Sequence, residues 1–387
     1  MKFLEIKNNI FWVGGIDWDL TEFHGYLTQR GSTYNAYLIM DEKIVLVDTV
    51  KHYLYEEMLE RIKKLIDPSK IDYIICNHVE MDHSGSLPMI MKLCPKATVI
   101  ASPNGEKGLK KHFKADWNIK VVNTGDSVSI GKRNLKFVLT QMVHWPDSMV
   151  TYIPEEKLLL PNDAFGQHMA SAERYDDEVG WDIAREEAAK YYANIILPYA
   201  NQVNKALEAL SGLDIDMIAP SHGVIWRKHL KDILALYKKW ANNETDEKAV
   251  IVYDTMWEST EKIAYAISDA FEERNIPVNM RNLNTNDISD VMTDILTAKY
   301  ICVGSPTLNN QMMPKVAGFL TYLKGLAPEN RTGLAFGSYG WGGQSIGQVE
   351  EMLKNACSNM LENIRVEYVP DENILKEITE KVRRGLS

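Results

Sequence analysis

From residue 246 onward, apolar runs of strand length and apolar runs with helical spacing take strict turns. "AVIVYDTMW" gives way to "STEKIAYAISDAFEERN", "PVNMRNLN" to "DVMTDILTA", "YICVGSPTLNN" to "PKVAGFLTYLKGL", and "RTGLAFGSYGWGG" to "IGQVEEMLKNA". "IRVEYVP" and a final amphipathic helix close the series. Parallel strands can be joined only by a long crossover, for which a helix is the usual solution. Five βα units therefore predict one parallel sheet with helices on both faces. In such a sheet, ligands bind in loops beyond the carboxyl ends of the strands.

The preceding residues read differently. Short apolar runs broken by turns predict strands at "NAYLIM", "KIVLVDTV", "DYIICNH", "ATVIAS", "IKVVNTGDSVSI", "LKFVLTQMVH", "MVTYIPEEKLLLPND" and "DMIAPSH". Three- and four-residue apolar spacing predicts helices over 54–66, 86–93, 182–210 and 228–240. The polar stretch "WANNETDEKA" separates the two patterns, and at 387 residues the chain is long for one core. The division expected is 1–245 and 246–387.

Charge and cysteine usage remove several function classes. The net charge is −10, and no basic run interrupts the sequence, which argues against nucleic-acid binding. No apolar stretch approaches the roughly 18 residues of a membrane helix. The start, "MKFLEIKNNIFWVGG", lacks the pattern of a secretory signal. Cys76, Cys94, Cys302 and Cys357 are widely spaced, three of them in or beside apolar runs, as expected of reduced thiols in a cytoplasmic protein. No C-x-x-C pair is present to hold a rubredoxin-like iron site.

The chemistry concentrates at strand ends. "HVEMDH" follows "IDYIIC" and supplies His78, Glu80, Asp82 and His83. His144 closes "LKFVLTQMVH", Asp163 closes "EEKLLLPND", and His222 closes "DMIAPSH". A lone histidine at such a position is usually a hydrogen-bonded structural residue. Four imidazoles and three carboxylates in the same kind of position predict a metal site instead.

This pattern resembles the metallo-β-lactamase fold, an αββα sandwich that holds two metals at its strand ends. Most members carry histidine where this chain has Glu80, and bind zinc for hydrolysis. A carboxylate there adds charge and a hard oxygen donor, favouring iron, and zinc has no redox chemistry. With the βα-repeat region alongside, the whole chain resembles the flavodiiron proteins, also called A-type flavoproteins. "HGYLTQRGSTYNAYLI", "HWPDSMVTY", "LLPNDAFGQH", "EAAKYYANI", "IAPSHGVIWR" and "YDTMWESTEK" carry that resemblance. It implies that one iron takes His78, Glu80 and His144, the other Asp82, His83 and His222, with Asp163 as bridge. It also implies that His24, His168 and Tyr192 lie near the open face of the pair. A proton or hydrogen-bond donor is needed where a small oxygen species is reduced.

The C-terminal region resembles flavodoxin, which implies strand order 2-1-3-4-5 and bound FMN. "DTMWEST" opens a helix, and its backbone N–H groups with the hydroxyls of Thr255, Ser259 and Thr260 suit a phosphate. Neither a P-loop lysine nor G-x-G-x-x-G is present, which disfavours ATP and NAD. Met256 and Trp257 complete that loop. Pro306, Thr307, Leu308, Asn309 and Asn310 form the second loop. Ser338, Tyr339, Gly340, Trp341, Gly342 and Gly343 form the third, and Trp257, Tyr339 or Trp341 is expected over a flavin face.

The function this implies is reduction of dioxygen to water, or of nitric oxide to nitrous oxide, in the cytoplasm of an anaerobe. Electrons would come from separate reduced rubredoxin or from reduced coenzyme F-420. The family resemblance also implies a head-to-tail homodimer or a homotetramer. The competing reading is a zinc-dependent hydrolase carrying a flavodoxin-like domain, which Glu80 and the three flavin loops oppose.

Overall fold

The computed structural model describes residues 3–386. They divide into two compact units, 3–24 with 28–191 and 201–238, and 25–27 with 192–200 and 239–386.

The first unit is built on two sheets. Seven strands, β1 (Leu4–Lys7), β2 (Ile10–Trp12), β3 (Tyr37–Met40), β4 (Ile44–Val47), β5 (Tyr73–Cys76), β6 (Thr98–Ala101) and β7 (Ile119–Val121), lie side by side in chain order. Pairing is antiparallel as far as β4 and parallel from β4 to β7. Five more strands form the second sheet, also in chain order: β8 (Ser127–Ser129), β9 (Asn134–Leu139), β10 (Met149–Ile153), β11 (Leu158–Leu160) and β12 (Met217–Ile218).

The pleat decides what each sheet face buries. Leu38, Leu46, Ile74 and Val99 join one core with Met58, Leu59, Ile62, Leu87, Ile90 and Met91 of the helices Tyr55–Lys63 and Leu87–Leu93. The alternate residues Tyr37, Ile39, Val45, Val47, Ile75 and Ile100 join the other core with Phe137, Met149, Ile153, Leu158 and Leu160 of the second sheet. Each fully buried Val, Leu or Ile contributes about 1.5–3 kcal/mol relative to exposure. A one-residue slip in register would exchange the faces of a whole strand, so the register is firmly set.

Two helical expectations change. The single helix expected over 182–210 is interrupted: Trp181–Tyr191 runs into a π turn (Tyr192–Ile196) and a 3-10 turn (Leu197–Tyr199) before Ala200–Leu210 resumes. Pro198, which lacks an N–H and crowds the preceding turn, accounts for the break. A helix at Pro103–Phe113 was not anticipated. Its Ser102 side chain accepts the Gly105 N–H at 2.9 Å, and Pro103 occupies the first turn.

In the second unit, β13 (Asp246–Tyr253), β14 (Val278–Asn282), β15 (Ala298–Gly304), β16 (Thr332–Tyr339) and β17 (Ile364–Glu367) pair in parallel. Their order is β14-β13-β15-β16-β17, which is 2-1-3-4-5; a two-residue strand, Asn359–Met360, also pairs with β16. Ala249, Ile251 and Tyr253 pack against Ile263, Ile267 and Phe271 of the helix Ser259–Glu272 and Ile378 and Val382 of the last helix. Val250 and Val252, facing the other way, are equally buried, so β13 reads as a continuous apolar run. No helix among the described residues is long and apolar enough to cross a membrane.

Candidate metal centre and flavin cleft

The seven ligand-type side chains of the first unit come together. His78, Glu80, His144 and Asp163 form one group and Asp82, His83 and His222 a second; within each, one ligand atom per residue lies within 4.8 Å of the others. Asp163 serves both. Its Oδ2 lies 3.5 Å from His78 Nε2 and 3.3 Å from His144 Nε2, while its Oδ1 lies 2.8 Å from His83 Nε2 and 3.3 Å from His222 Nε2. Glu80 Oε2 closes the first group, 3.2 Å from His78 Nε2 and 3.3 Å from His144 Nε2. Asp82 closes the second, 3.3 Å from both His83 and His222.

Local structure holds these groups in place. His78 is fully buried, with Nδ1 3.0 Å from Asp147 Oδ2, which also accepts the Val79 N–H at 2.8 Å. His222 Nδ1 lies 2.8 Å from the Thr33 carbonyl oxygen. Such partners fix the ring and turn Nε2 inward as a ligand. Gly223, at φ +75°, follows His222; a Cβ there would lie 2.3 Å from Gln167 Oε1, so only glycine fits.

Electrostatics agree with a cation-binding site. Burial alone would lower His144 and His222, but the carboxylates of Asp163 with Glu80 or Asp82 outweigh it and lift them to about 9 and about 10. Burial would raise Glu80, yet His144 and His78 hold its carboxyl well below the usual range. Asp82 Oδ1, Asp163 Oδ2 and both ring nitrogens of His83 are buried, and although they crowd together none of them makes an aligned hydrogen bond. Buried polar atoms left without hydrogen bonds are costly, and here they converge with further imidazoles and carboxylates. The donor set, mixed nitrogen and oxygen without sulfur, fits a pair of iron ions.

The remaining expectations for this site divide. His24, with a side chain 74% exposed, sits at the rim with Nε2 3.3 Å from Glu80 Oε1. His168 is fully buried, its Nδ1 2.8 Å from Ser32 Oγ and its ring centroid 4.7 Å from that of His222. Burial, reinforced by the His222 charge, pushes its pKa well below the ordinary value, so the ring is neutral. Tyr192 packs on Trp240 in the second unit, with centroids 5.1 Å apart. The tyrosine against His168 and His222 is Tyr191, at 5.1 and 5.9 Å. Neighbouring residues on a helical turn point about 100° apart, and the sequence "YY" alone cannot choose between them. His144 lies five residues beyond the end of β9 rather than at its tip.

Sequence reasoning passed over Asp147 and Tyr191. Asp147 lies within "HWPDSM", where an acid three residues from a histidine was available as a signal.

In the second unit, the loops after β13, β15 and β16 line a cavity of about 630 Å³. Thr255, Met256, Trp257, Ser259, Pro306, Thr307, Asn309, Asn310, Ser338, Tyr339, Gly340, Trp341 and Gly342 form its wall, with Tyr368 and Val369 after β17 added to those anticipated. Thr260, Leu308 and Gly343 lie outside the wall. Thr260 is buried, with Oγ1 2.9 Å from Ser338 Oγ; Leu308 closes a turn with Gln311; Gly343 precedes the helix Gln344–Leu353. Trp257 and Trp341 are 87% and 92% exposed, so neither is a core residue.

This cavity suits a flavin phosphate. Thr255 Oγ1 is buried without a hydrogen-bond partner. The helix Ser259–Glu272 begins at Glu258, whose φ is +64° and whose side chain caps nothing. Uncapped N–H groups with the positive end of the helix dipole favour an anion, and large aromatic faces beside them favour a planar ring.

Comparison with known proteins converges on one family. Residues 33–223 match the family model described as ODP family beta lactamase, and residues 251–381 match Flavodoxin. The nitric oxide reductase of Moorella thermoacetica is 47% identical over 98% of this chain and 97% of its own. The solved rubredoxin oxygen:oxidoreductase of Desulfovibrio gigas has a TM-score of 0.96 at 40% identity, covering 100% of this chain and 98% of that one. The flavodiiron protein of Giardia intestinalis has a TM-score of 0.97 at 32% identity, covering 100% and 96%. On that likeness, and on the strand order and donor set described above, this chain belongs to the flavodiiron proteins and is an oxidoreductase that works with a di-iron centre and FMN.

Proposed function

We propose that the chain reduces dioxygen to water, and nitric oxide to nitrous oxide, at a di-iron centre supplied with electrons through FMN. His78, Glu80 and His144 would hold one iron and Asp82, His83 and His222 the other, with Asp163 shared between them. The two ions would provide an adjacent pair of redox-active Lewis acids, with FMN as a store of two further electrons. Together they match the four electrons that dioxygen needs; two nitric oxide molecules need two.

The observation that carries this reading is the carboxylate pair. Asp163 turns separate oxygens to the two histidine groups, and Glu80 supplies a hard donor where a zinc hydrolase of this fold has histidine. The surrounding residues orient and exclude. Asp147 and the Thr33 carbonyl fix two imidazoles, and the neutral His168 with Tyr191 walls off one side from water. His24 at the exposed rim is placed to carry protons inward.

Rubredoxin is the electron donor proposed, reduced coenzyme F-420 being the alternative that a donor assay distinguishes. Trp257 and Trp341, almost fully exposed on the flavin rim, support a partner surface there, consistent with a head-to-tail homodimer or a tetramer. The four cysteines, all buried and unpaired, support a reducing, cytoplasmic setting.

The test is anaerobic stopped-flow of the reduced protein against dioxygen and then nitric oxide, with metal and flavin analysis of the same sample. Two irons and one FMN per chain with rapid reoxidation are expected. Zinc, absence of FMN, or hydrolytic turnover would overturn the reading in favour of the zinc-dependent hydrolase.

A further inference from the structure

The strand β4 is followed at once by an acid whose hydrogen bonds reach none of the seven ligands. Asp48 is buried, with a backbone φ of +55°, and its N–H is bonded to the Ile75 carbonyl at 2.8 Å. Oδ1 accepts the Asn77 N–H at 2.8 Å; Oδ2 accepts the side-chain amides of Asn77 and Asn162, each at 3.1 Å. All three partners are N–H donors, an arrangement that a protonated carboxyl would not satisfy. Burial pushes the Asp48 pKa above the usual carboxylate range, and these N–H donors, together with His83, oppose that shift and favour the charged form.

The identity of those amides gives the arrangement its meaning. Asn77 immediately precedes His78, and Asn162 immediately precedes Asp163. Asn162 continues the network: its Oδ1 accepts the Asp163 N–H at 2.9 Å and its carbonyl accepts the Ser221 N–H at 2.9 Å. Ser221 immediately precedes His222, and its hydroxyl donates to Asp163 Oδ1 at 3.1 Å. Thr49, next to Asp48, donates from N–H and hydroxyl to the His83 carbonyl at 2.9 and 2.5 Å. Asn77 is braced in turn by Thr151, whose hydroxyl donates to its Oδ1 at 2.8 Å. The loops carrying His78, His83, Asp163 and His222 are therefore tied, directly or through one residue, to the end of a single strand.

We propose that Asp48 is a positioning residue of the di-iron centre: its carboxylate clamps the residues before His78 and Asp163, and so fixes the shared Asp163 carboxylate against the first ligand group. The inference rests on the di-iron reading above. A buried charge bonded only to neutral groups also acts on any nearby ion through a low-dielectric interior, so its removal should raise the reduction potential of the centre. Outer hydrogen-bond partners of metal ligands typically carry 10–100-fold in affinity.

The test uses holoprotein of the wild type, Asp48→Asn and Asn162→Ala. Iron loss to a competing chelator, the electron paramagnetic resonance of the half-reduced di-iron state, and its potential are measured beside the thermal melting of each protein. Asp48→Asn should release iron about 10–100-fold more readily, shift the spectrum and raise the potential, at a melting temperature that still reports a folded chain. Asn162→Ala should change iron retention and spectrum in the same direction by less. Iron retention, spectrum and potential like the wild type's in Asp48→Asn would refute the proposal. So would iron loss in both variants only in step with loss of the fold, since Asp48 would then be a folding residue. A wild-type protein without an iron pair would instead strike the di-iron reading itself, a result the metal analysis separates from the others.

Discussion

The metal centre and the flavin cleft are both built at strand ends, yet they are opposites in construction. In the first unit, His78, Asp82, His83, Asp163 and His222 are at most 3% exposed, and a web of amides and hydroxyls holds their loops. In the second unit most of the wall comes from loop residues, two of them tryptophans almost wholly in solvent. Converging carboxylates must be fixed in advance, because a loose cluster of acids would spread apart or protonate. A flavin brings its own large apolar surface, and a half-open cleft with one anion-binding helix end suffices to receive it. A preorganised site should fail sharply when altered, and an open one by degrees.

That contrast can be broken in four places. The largest effect is expected from Asp163→Ala: iron content should collapse and dioxygen turnover fall by more than about 100-fold, beyond the range for outer partners, while FMN stoichiometry stays at one. Loss of flavin as well would show the two sites to be coupled. Glu80→His comes next. It should move metal preference from iron to zinc and abolish reduction with the chain still folded, as read by metal analysis after growth with both metals; unchanged iron and turnover would remove Glu80 from its role. In the flavin cleft, Thr255→Val deletes the unpartnered hydroxyl and should weaken FMN by about 1 kcal/mol, about fivefold, in a fluorescence titration that leaves iron untouched. Smallest of all, Tyr192→Phe should cost about 1 kcal/mol of stability at most and leave turnover unchanged, because the ring packs on Trp240. A large fall in turnover would return Tyr192 to the chemistry.

The same contrast explains what the sequence disclosed. The sheet of the second unit was legible because parallel strands covered on both faces read as continuous apolar runs, as "AVIVY" does. Metal-type side chains also announce themselves, because few structures need so many imidazoles and acids after apolar runs. Positions that depend on tertiary partners did not show. His144 sits in an irregular loop beyond β9, where hydrophobic period carries no information. Tyr191 and Tyr192 are neighbours, and only the π turn beginning at Tyr192 determines which meets His168. Thr260, in the first turn of its helix, and Ser338, near the end of β16, bond each other although 78 residues apart, a pairing no local signal encodes. Asp48 was visible as an acid after "KIVLV", but its bonds to Asn77 and Asn162 exist only once three strands are assembled.

Asp163 has a consequence for supply. One short, buried side chain offers an oxygen to each histidine group, so the two halves share a rigid member. Neither half has its full ligand set without that carboxylate, so uptake of the two ions should be coupled and the singly filled protein a minor species. When iron is scarce, a population of these chains should then sort into complete molecules and vacant ones, with few in between. Total output would follow the number of finished sites, while each finished site would work as well as it does under plenty.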